Sequence, residues 1–284
     1  KIDECSNLVF QVPNNVYHHS IETDIDGNIW APSRLYPYSL PVIKVGADLS
    51  SKFMDDAIVK LSPDGEILFE KSVSQILIEN DLEHLVFGGQ SPEFYNDPIH
   101  LNDIQPVDFD SDYWKKGDVF LSLLSPSLVM LYRPSTNVVV WKGAGHYFHQ
   151  HDVDILDNER ISIFNNNAKN LVTGYQVDGH NEIIIYDFAT DRYSSYLSDS
   201  LTKTEVRTIT EGRSQILPNN DVFIEETNYG RILYFNGDGS LRWTHVNRAS
   251  NGKVYHVSWS RVLYKEEDLL AVKSLLLSKG TCDD

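Results

Sequence analysis

Apolar residues in this chain fall in short runs rather than at helical spacing. Ile67-Leu68-Phe69, Val119-Phe120-Leu121, Val138-Val139-Val140-Trp141, Ile161-Ser162-Ile163-Phe164, Ile183-Ile184-Ile185-Tyr186, Val222-Phe223-Ile224 and Ile232-Leu233-Tyr234-Phe235 are rich in β-branched and aromatic side chains. Such runs suit strands, where those side chains pack on a pleated surface. Asp-Gly and Asn-Gly pairs separate many of them: Asp26-Gly27, Asp64-Gly65, Asp178-Gly179, Asn236-Gly237 and Asp238-Gly239. These dipeptides tolerate positive φ and close tight hairpins. Two segments read as helical instead. Ser72 to Phe87 is amphipathic, and about residues 265 to 279 form a C-terminal helix that stops before Gly280.

The turns align with one another. Asp152-Val153-Asp154-Ile155-Leu156-Asp157-Asn158-Glu159-Arg160-Ile161 and Arg213-Ser214-Gln215-Ile216-Leu217-Pro218-Asn219-Asn220-Asp221-Val222 share one plan of polar head, apolar pair, turn and strand. Ser20 to Ile29 fits the same frame, and Asp103 to Val107 fits it loosely. The copies recur at intervals of roughly 50 to 80 residues, and a four-stranded propeller blade takes about 40 to 50. The expected fold is all-β: one β-propeller domain over residues 1–284, of five or six four-stranded blades, with a helical insertion near 72–87. Radial packing protects the short blade edges. A β-sandwich leaves the repeated unit unexplained.

In a propeller the innermost strand of each blade lines the axis, and the residues before it sit at the mouth. Stacking the aligned heads gives one column of His19, Asn102, His151 and Gly212 and a second of Ser20, Asp103, Asp152 and Arg213. Two positions before the first column lie Tyr17, His100, His149 and Thr210. Single His-Asp pairs of this kind can simply pin blade starts. Several converging on one axis point to a site, because buried polar groups are costly unless paired. Imidazole serves as nucleophile, general base or metal ligand. A carboxylate beside it orients the ring and raises its basicity, and a guanidinium holds an oxyanion. The expected catalytic set is His100, His151, Arg213 and Asp152, with Asp152 orienting His151. The expected substrate-binding set is His19, Asn102, Asp103, His149, Asn165, Asn167, Tyr229 and His256. Imidazole, guanidinium and carboxamide together suit sulfuryl or phosphoryl transfer, where negative charge on non-bridging oxygens must be neutralised. No cofactor is expected. The alternative is a metal on the axis, held by His19, His100, His151 and His256. A calcium at Asp24 and Asp26 is weaker, since Asp-x-Asp-Gly in a hairpin is usually a turn.

Composition narrows the partners. The 284-residue chain carries a formal net charge of −17, which repels nucleic acid and anionic membranes. A small-molecule partner is expected, with no nucleic acid and no membrane. No apolar run approaches the ~20 residues of a membrane span. The two cysteines, Cys5 and Cys282, sit near opposite ends. A disulfide between them would tie the termini of a closed ring, consistent with a secreted or periplasmic location.

The chain resembles the PAPS-independent arylsulfotransferase family, bacterial propellers that move sulfate between phenols. The resemblance rests on Tyr17-His18-His19-Ser20-Ile21-Glu22 followed by Asp26-Gly27-Asn28-Ile29-Trp30, and on His100-Leu101-Asn102-Asp103. It continues through Gln150-His151-Asp152-Val153-Asp154-Ile155-Leu156 into Phe164-Asn165-Asn166, then Gln215-Ile216-Leu217-Pro218-Asn219-Asn220 and Asn228-Tyr229-Gly230-Arg231. The resemblance implies axial histidines and an arginine around the sulfuryl group, one histidine forming a transient sulfohistidine. His100 and His151 match supporting axial positions. The family nucleophile comes from a later blade, whose head here reads Glu211-Gly212-Arg213-Ser214, without histidine. The expected activity is sulfuryl transfer between phenolic compounds, with a small aromatic or sulfated substrate. The alternatives are a non-catalytic ligand- or protein-binding propeller and a metal-dependent enzyme on the same scaffold.

Overall fold

The structure is a computed structural model that describes residues 1–3, 5–13, 16–40, 53–88 and 95–278. Its strands are β1 Val16–Tyr17, β2 Glu22–Thr23, β3 Ile29–Arg34, β4 Asp56–Leu61, β5 Ile67–Ser72, β6 Leu101–Pro106, β7 Val119–Leu123, β8 Leu128–Arg133, β9 Val138–Ala144, β10 Val153–Ile155 and β11 Arg160–Asn165. There follow β12 Ala168–Leu171, β13 Gly174–Val177, β14 Glu182–Asp187, β15 Arg192–Tyr196, β16 Arg213–Ile216, β17 Val222–Glu226, β18 Arg231–Phe235 and β19 Leu241–Val246. Every pairing is antiparallel.

These strands build a β-propeller of four blades among the described residues. Blade 1 is the five-stranded sheet β1 to β5, with β1 and β2 both against β3; blades 2, 3 and 4 are β6-β7-β8-β9, β10-β11-β14-β15 and β16-β17-β18-β19. The expected five or six blades are therefore corrected to four. The long interval from the first head to the second holds a helical insertion rather than a blade. That insertion is also two helices, not one: α1 Val73–Glu79 and α2 His84–Phe87. Ser72 caps α1 by accepting from the Gln75 N–H. The Asn80 carboxamide then donates to the Ile76 carbonyl, and Asp81 turns the chain at φ 61°. A short helix α3, Ser198–Thr204, follows blade 3, and α4, Glu266–Ser278, is the C-terminal helix. No helix among the described residues is long and apolar enough to cross a membrane. The expected Cys5–Cys282 pairing involves Cys282, which lies outside the described residues.

Strand alternation fills the seams between blades, because successive side chains point to opposite faces. From β7, Val119 and Leu121 join Trp30, Ile58 and Leu101 between blades 1 and 2. Phe120 points the other way, into a cluster with Trp114, Leu131, Ile161, Ile163 and Tyr186 between blades 2 and 3. Phe164 and Ile183 meet Val222, Ile224, Leu233 and Phe235 between blades 3 and 4. The ring closes differently. Residues 259–262 run between blade 4 and blade 1 as a polar strap. Ser260 and Val262 donate backbone N–H groups to the carboxylate of Glu225 and the carboxamide of Gln215, while Trp259 and Arg261 reach Glu22.

The repeat seen in the sequence acts as a clamp from blade to blade. The Ser20 hydroxyl accepts from Ile104 N–H at 3.3 Å, Asp103 from Val153 N–H at 3.0 Å and Asp152 from Ser214 N–H at 3.0 Å. Each second-column side chain thus holds the backbone one residue past its counterpart in the next blade. Arg213 departs from this pattern and donates to the Ser260 carbonyl of the strap at 3.2 Å.

Candidate functional site

Two polar layers lie along the axis. The upper one lines a cavity of about 560 Å³ formed by His19, Tyr95, Asp97, His100, Leu124, His149, His151, Asn170, Tyr175, Thr210 and Glu211, a size ordinary for small-ligand sites. The four blade heads enter it in left-handed backbone: His19 at φ 57°, His100 at 50°, His149 at 51° and Glu211 at 57°. This conformation is uncommon without glycine, and such strain clusters at functional sites. The rings of His100 and His151 stand 5.1 and 5.8 Å from that of His19.

The ring nitrogens decide what each histidine can do. His100 Nδ1 meets Asp97 Oδ2 at 2.6 Å. An Nδ1–H donated to this carboxylate leaves the Nε2 lone pair for the cavity. His149 makes the same kind of contact to a neutral group, the Ala168 carbonyl at 2.7 Å. The Nδ1 atoms of His18 and His19 lie in hydrogen-bond contact at 2.7 Å, and His18 Nε2 stands 3.3 Å from Asp56 Oδ1. Burial pushes His19 down to about 2, helped by the neighbouring His151, His18 and His100.

His151 is different. Its Nε2 accepts the Glu211 N–H at 2.8 Å, so Nδ1 carries the proton and donates to Asn166 Oδ1 at 2.8 Å. Both nitrogens are occupied, and burial holds the ring down to about 3. A protonated ring would also set N–H against N–H. His151 therefore has no lone pair for a substrate and joins blade 3 to blade 4. Asp152 does not orient it, as its sequence position suggested. The imidazole partner is Asn166, while Asp152 holds Ser214 N–H and lies 3.5 Å from Arg213 Nη2.

The lower layer collects Glu22, Asp103, Asp152 and Asp154 around Arg213 and Arg261. Arg213 is 2% exposed, lies against Asp152 and Asp154 and stacks on Trp259 at 4.8 Å. It does not line the histidine cavity, which corrects its expected place beside the substrate. Burial, reinforced by Glu22, raises Asp103 to about 7. Burial also raises Asp154 to about 6, despite Arg213.

Several other expected site residues lie elsewhere. Asn102 is buried and donates to the Gln150 carbonyl. Asp103 is the clamp described above. Asn165 accepts from Phe148 and Asn167 N–H groups and donates to Glu182, so both ends of its carboxamide are engaged. Asn167 anchors a hairpin through the Asp178 carbonyl. Tyr229 lines a separate pocket of about 330 Å³ with Glu205, Arg207, Glu226 and Arg231. His256 is exposed and does not line the histidine cavity. Among the described residues no group of three or more His, Cys, Asp or Glu is arranged to hold a metal. Asp24 is a turn: although burial opposes it, hydrogen bonds from Lys60, Asn28 and Trp30 hold its carboxyl at about 2.

Sequence reasoning missed Asp97, Tyr95, Asn170, Tyr175 and the side chain of Glu211, and it set Thr210 in an axial column without giving it a role. Asp97 stands three residues before His100, a spacing that marks a partner once the loop is seen to fold back. Glu211 occupies the head that lacks histidine, and burial raises its carboxyl pKa.

No curated protein matches the chain in sequence. Among solved structures it is similar to a protein of unknown function from Bacteroides caccae, with TM-score 0.47 and 11% identity over 82% of this chain and 68% of that one. It is also similar to the WD40 β-propeller domain of Doa1, with TM-score 0.40 and 12% identity over 81% of this chain and 56% of that one. A third is virginiamycin B lyase from Staphylococcus aureus, with TM-score 0.39 and 10% identity over 83% of this chain and 71% of that one. Likenesses this distant add nothing to what the sheets establish. The arylsulfotransferase (ASST) profile, by contrast, matches residues 1–248, and the chain belongs to that family.

Proposed function

We propose that this propeller transfers a sulfuryl group from an aryl sulfate to a phenol, without PAPS and without a cofactor, in the histidine-lined cavity. The observation that carries the reading is His100, whose Nδ1 is held by Asp97 at 2.6 Å while its ring lines the cavity. Its Nε2 lone pair attacks sulfur, and the sulfur–oxygen bond to the aryl group breaks with its electrons on the phenolate oxygen. Glu211, whose carboxyl burial biases toward the protonated form, gives that oxygen its proton. In the second half the acceptor phenol returns a proton to Glu211 as its oxygen attacks sulfur. The nitrogen–sulfur electrons then go back to Nε2. The Thr210 hydroxyl, the Asn170 carboxamide and the His19 ring are the donors available to the sulfuryl oxygens. Arg213 and Asn165 have no part in this version.

The test is incubation with a chromogenic aryl sulfate and a phenol acceptor. Release of the chromogen with appearance of the sulfated acceptor is expected. No transfer by the wild-type chain, under conditions where a known arylsulfotransferase works, overturns the reading. One observation favours a second reading, a non-catalytic ligand-binding propeller: the cavity lining holds no Lys or Arg to neutralise a sulfuryl group. That reading expects phenol binding with no turnover.

A further inference from the structure

Blade 3 carries an insertion that the propeller does not need. Between β11 and β14 the chain leaves the sheet to form the separate two-stranded hairpin β12–β13. Its root is tied at three points. Asp178 N–H donates to the Asn167 carbonyl at 2.9 Å, Lys169 pairs with Asp178 at 2.8 Å, and His149 Nδ1 meets the Ala168 carbonyl at 2.7 Å. The last contact joins the hairpin to a cavity histidine.

Asn170 and Tyr175 are direct cross-strand partners. Opposed residues in an antiparallel pair project to the same face, and both line the histidine cavity. Tyr175 stands in T-shaped contact with His149 at 5.2 Å. Tyr95 lines the same cavity from the chain before β6, close enough to add to the upward push that burial gives the Tyr175 hydroxyl. Neither tyrosine belongs to an apolar cluster among the described residues. Tyr95 stays 59% exposed and Tyr175 40%. Packing of the propeller therefore accounts for neither ring.

We infer that Tyr175, carried by the β12–β13 hairpin, and its cavity neighbour Tyr95 recognise the planar aryl group of the substrate, making the hairpin the specificity element of the cavity. The inference deepens the sulfuryl-transfer reading and rests on it only in taking the histidine cavity as the substrate site. Aromatic faces left uncovered beside a polar floor suit a ligand that is apolar and planar at one end and charged at the other. The histidines meet the charged end and the tyrosines the ring.

The test is equilibrium binding of p-nitrophenol and, separately, of inorganic sulfate to the full chain and its Tyr175→Ala, Tyr175→Phe and Tyr95→Ala variants. Loss of one stacking ring weakens p-nitrophenol by about fivefold to tenfold. Tyr175→Ala and Tyr95→Ala are expected to do so while leaving sulfate unchanged, and Tyr175→Phe to stay within about twofold of wild type. p-Nitrophenol binding as tight as wild type in both alanine variants, a loss of sulfate binding equal to that of p-nitrophenol, or no p-nitrophenol binding by the wild type overturns the inference. Tyrosine-dependent binding without any sulfuryl transfer sinks the catalytic reading alone and leaves the aryl clamp standing.

Discussion

The two axial layers come from the same sequence repeat and have opposite uses. The histidine layer faces a cavity, and His100 and His149 each fix one ring nitrogen on the protein and turn the other to open space. The lower layer has no such freedom. Asp103 and Asp152 hold backbone N–H groups of the next blade, and Arg213 is enclosed by Asp152, Asp154, Trp259 and Ser260. The layers even meet in consecutive residues, with His151 above Asp152. A titratable side chain on a propeller axis is thus not by itself a catalytic group. What separates the two layers is whether a nitrogen or oxygen remains uncommitted toward solvent-accessible space.

The sharpest way to break this contrast is to substitute once in each layer. His100→Asn removes the nucleophile while keeping a residue that tolerates left-handed backbone. Sulfuryl transfer should fall by more than about 10³-fold, with the unfolding midpoint in urea little changed. A variant that keeps a tenth of wild-type turnover would remove His100 from the mechanism. Arg213→Met should do the reverse. It leaves Asp152 and Asp154 buried without their cation, and breaking a buried pair from one side costs about 3–5 kcal/mol. Urea unfolding measures that loss, and turnover per folded molecule should survive. Loss of turnover without loss of stability would return Arg213 to the substrate. Asp97→Asn is the milder probe. Asparagine can still accept from Nδ1–H but carries no charge to offset the one the ring gains as it attacks sulfur, so kcat should drop by about 10²-fold with KM nearly constant. A change confined to KM would make Asp97 a binding residue.

The sequence made much of this legible because repetition exposes geometry. Aligning the heads placed Ser20, Asp103, Asp152 and Arg213 in one column, and the first three of them are the clamp between blades. It also brought His19, His100, His149 and His151 to one cavity. The failures share a cause, which is that a column of aligned residues does not say which way each side chain turns. His151 and Asp152 look like a catalytic pair in sequence, yet alternation sends them to different layers. Asp97 was hidden because its contact with His100 crosses a turn at Pro98. Tyr175 and Asn170 were hidden in a hairpin that breaks the repeat spacing. The blade number was overestimated because the long interval after the first head holds the α1–α2 insertion rather than a further blade.

The smallest effect sharpens the comparison most, because the two layers should respond to acid with opposite sign. His19 and His151 are held at about 2 and about 3, below the ordinary histidine value near 6.5. As pH falls through that value, the unfolded chain takes up protons that the folded ring refuses, and stability drops until the folded pKa is reached. Asp154 and Asp103 are raised to about 6 and about 7, above an ordinary value near 3.9. Between those limits the folded chain holds more protons than the unfolded one, so these carboxyls add stability as pH falls. Each group contributes a slope of about 1.4 kcal/mol per pH unit inside its window, and between about pH 4 and 6 the two pairs largely cancel. Removing one member should uncover the other. Asp154→Asn should steepen the loss of stability toward acid by about 1.4 kcal/mol per unit over that range. His19→Asn, which keeps the left-handed backbone of its blade head, should flatten that loss by a similar amount. The slope is the quantity to read from urea unfolding at several pH values, because a pH-independent loss of stability in either variant leaves it unchanged. If both variants shift it the same way, the layers are not the electrostatic opposites that their hydrogen bonding implies.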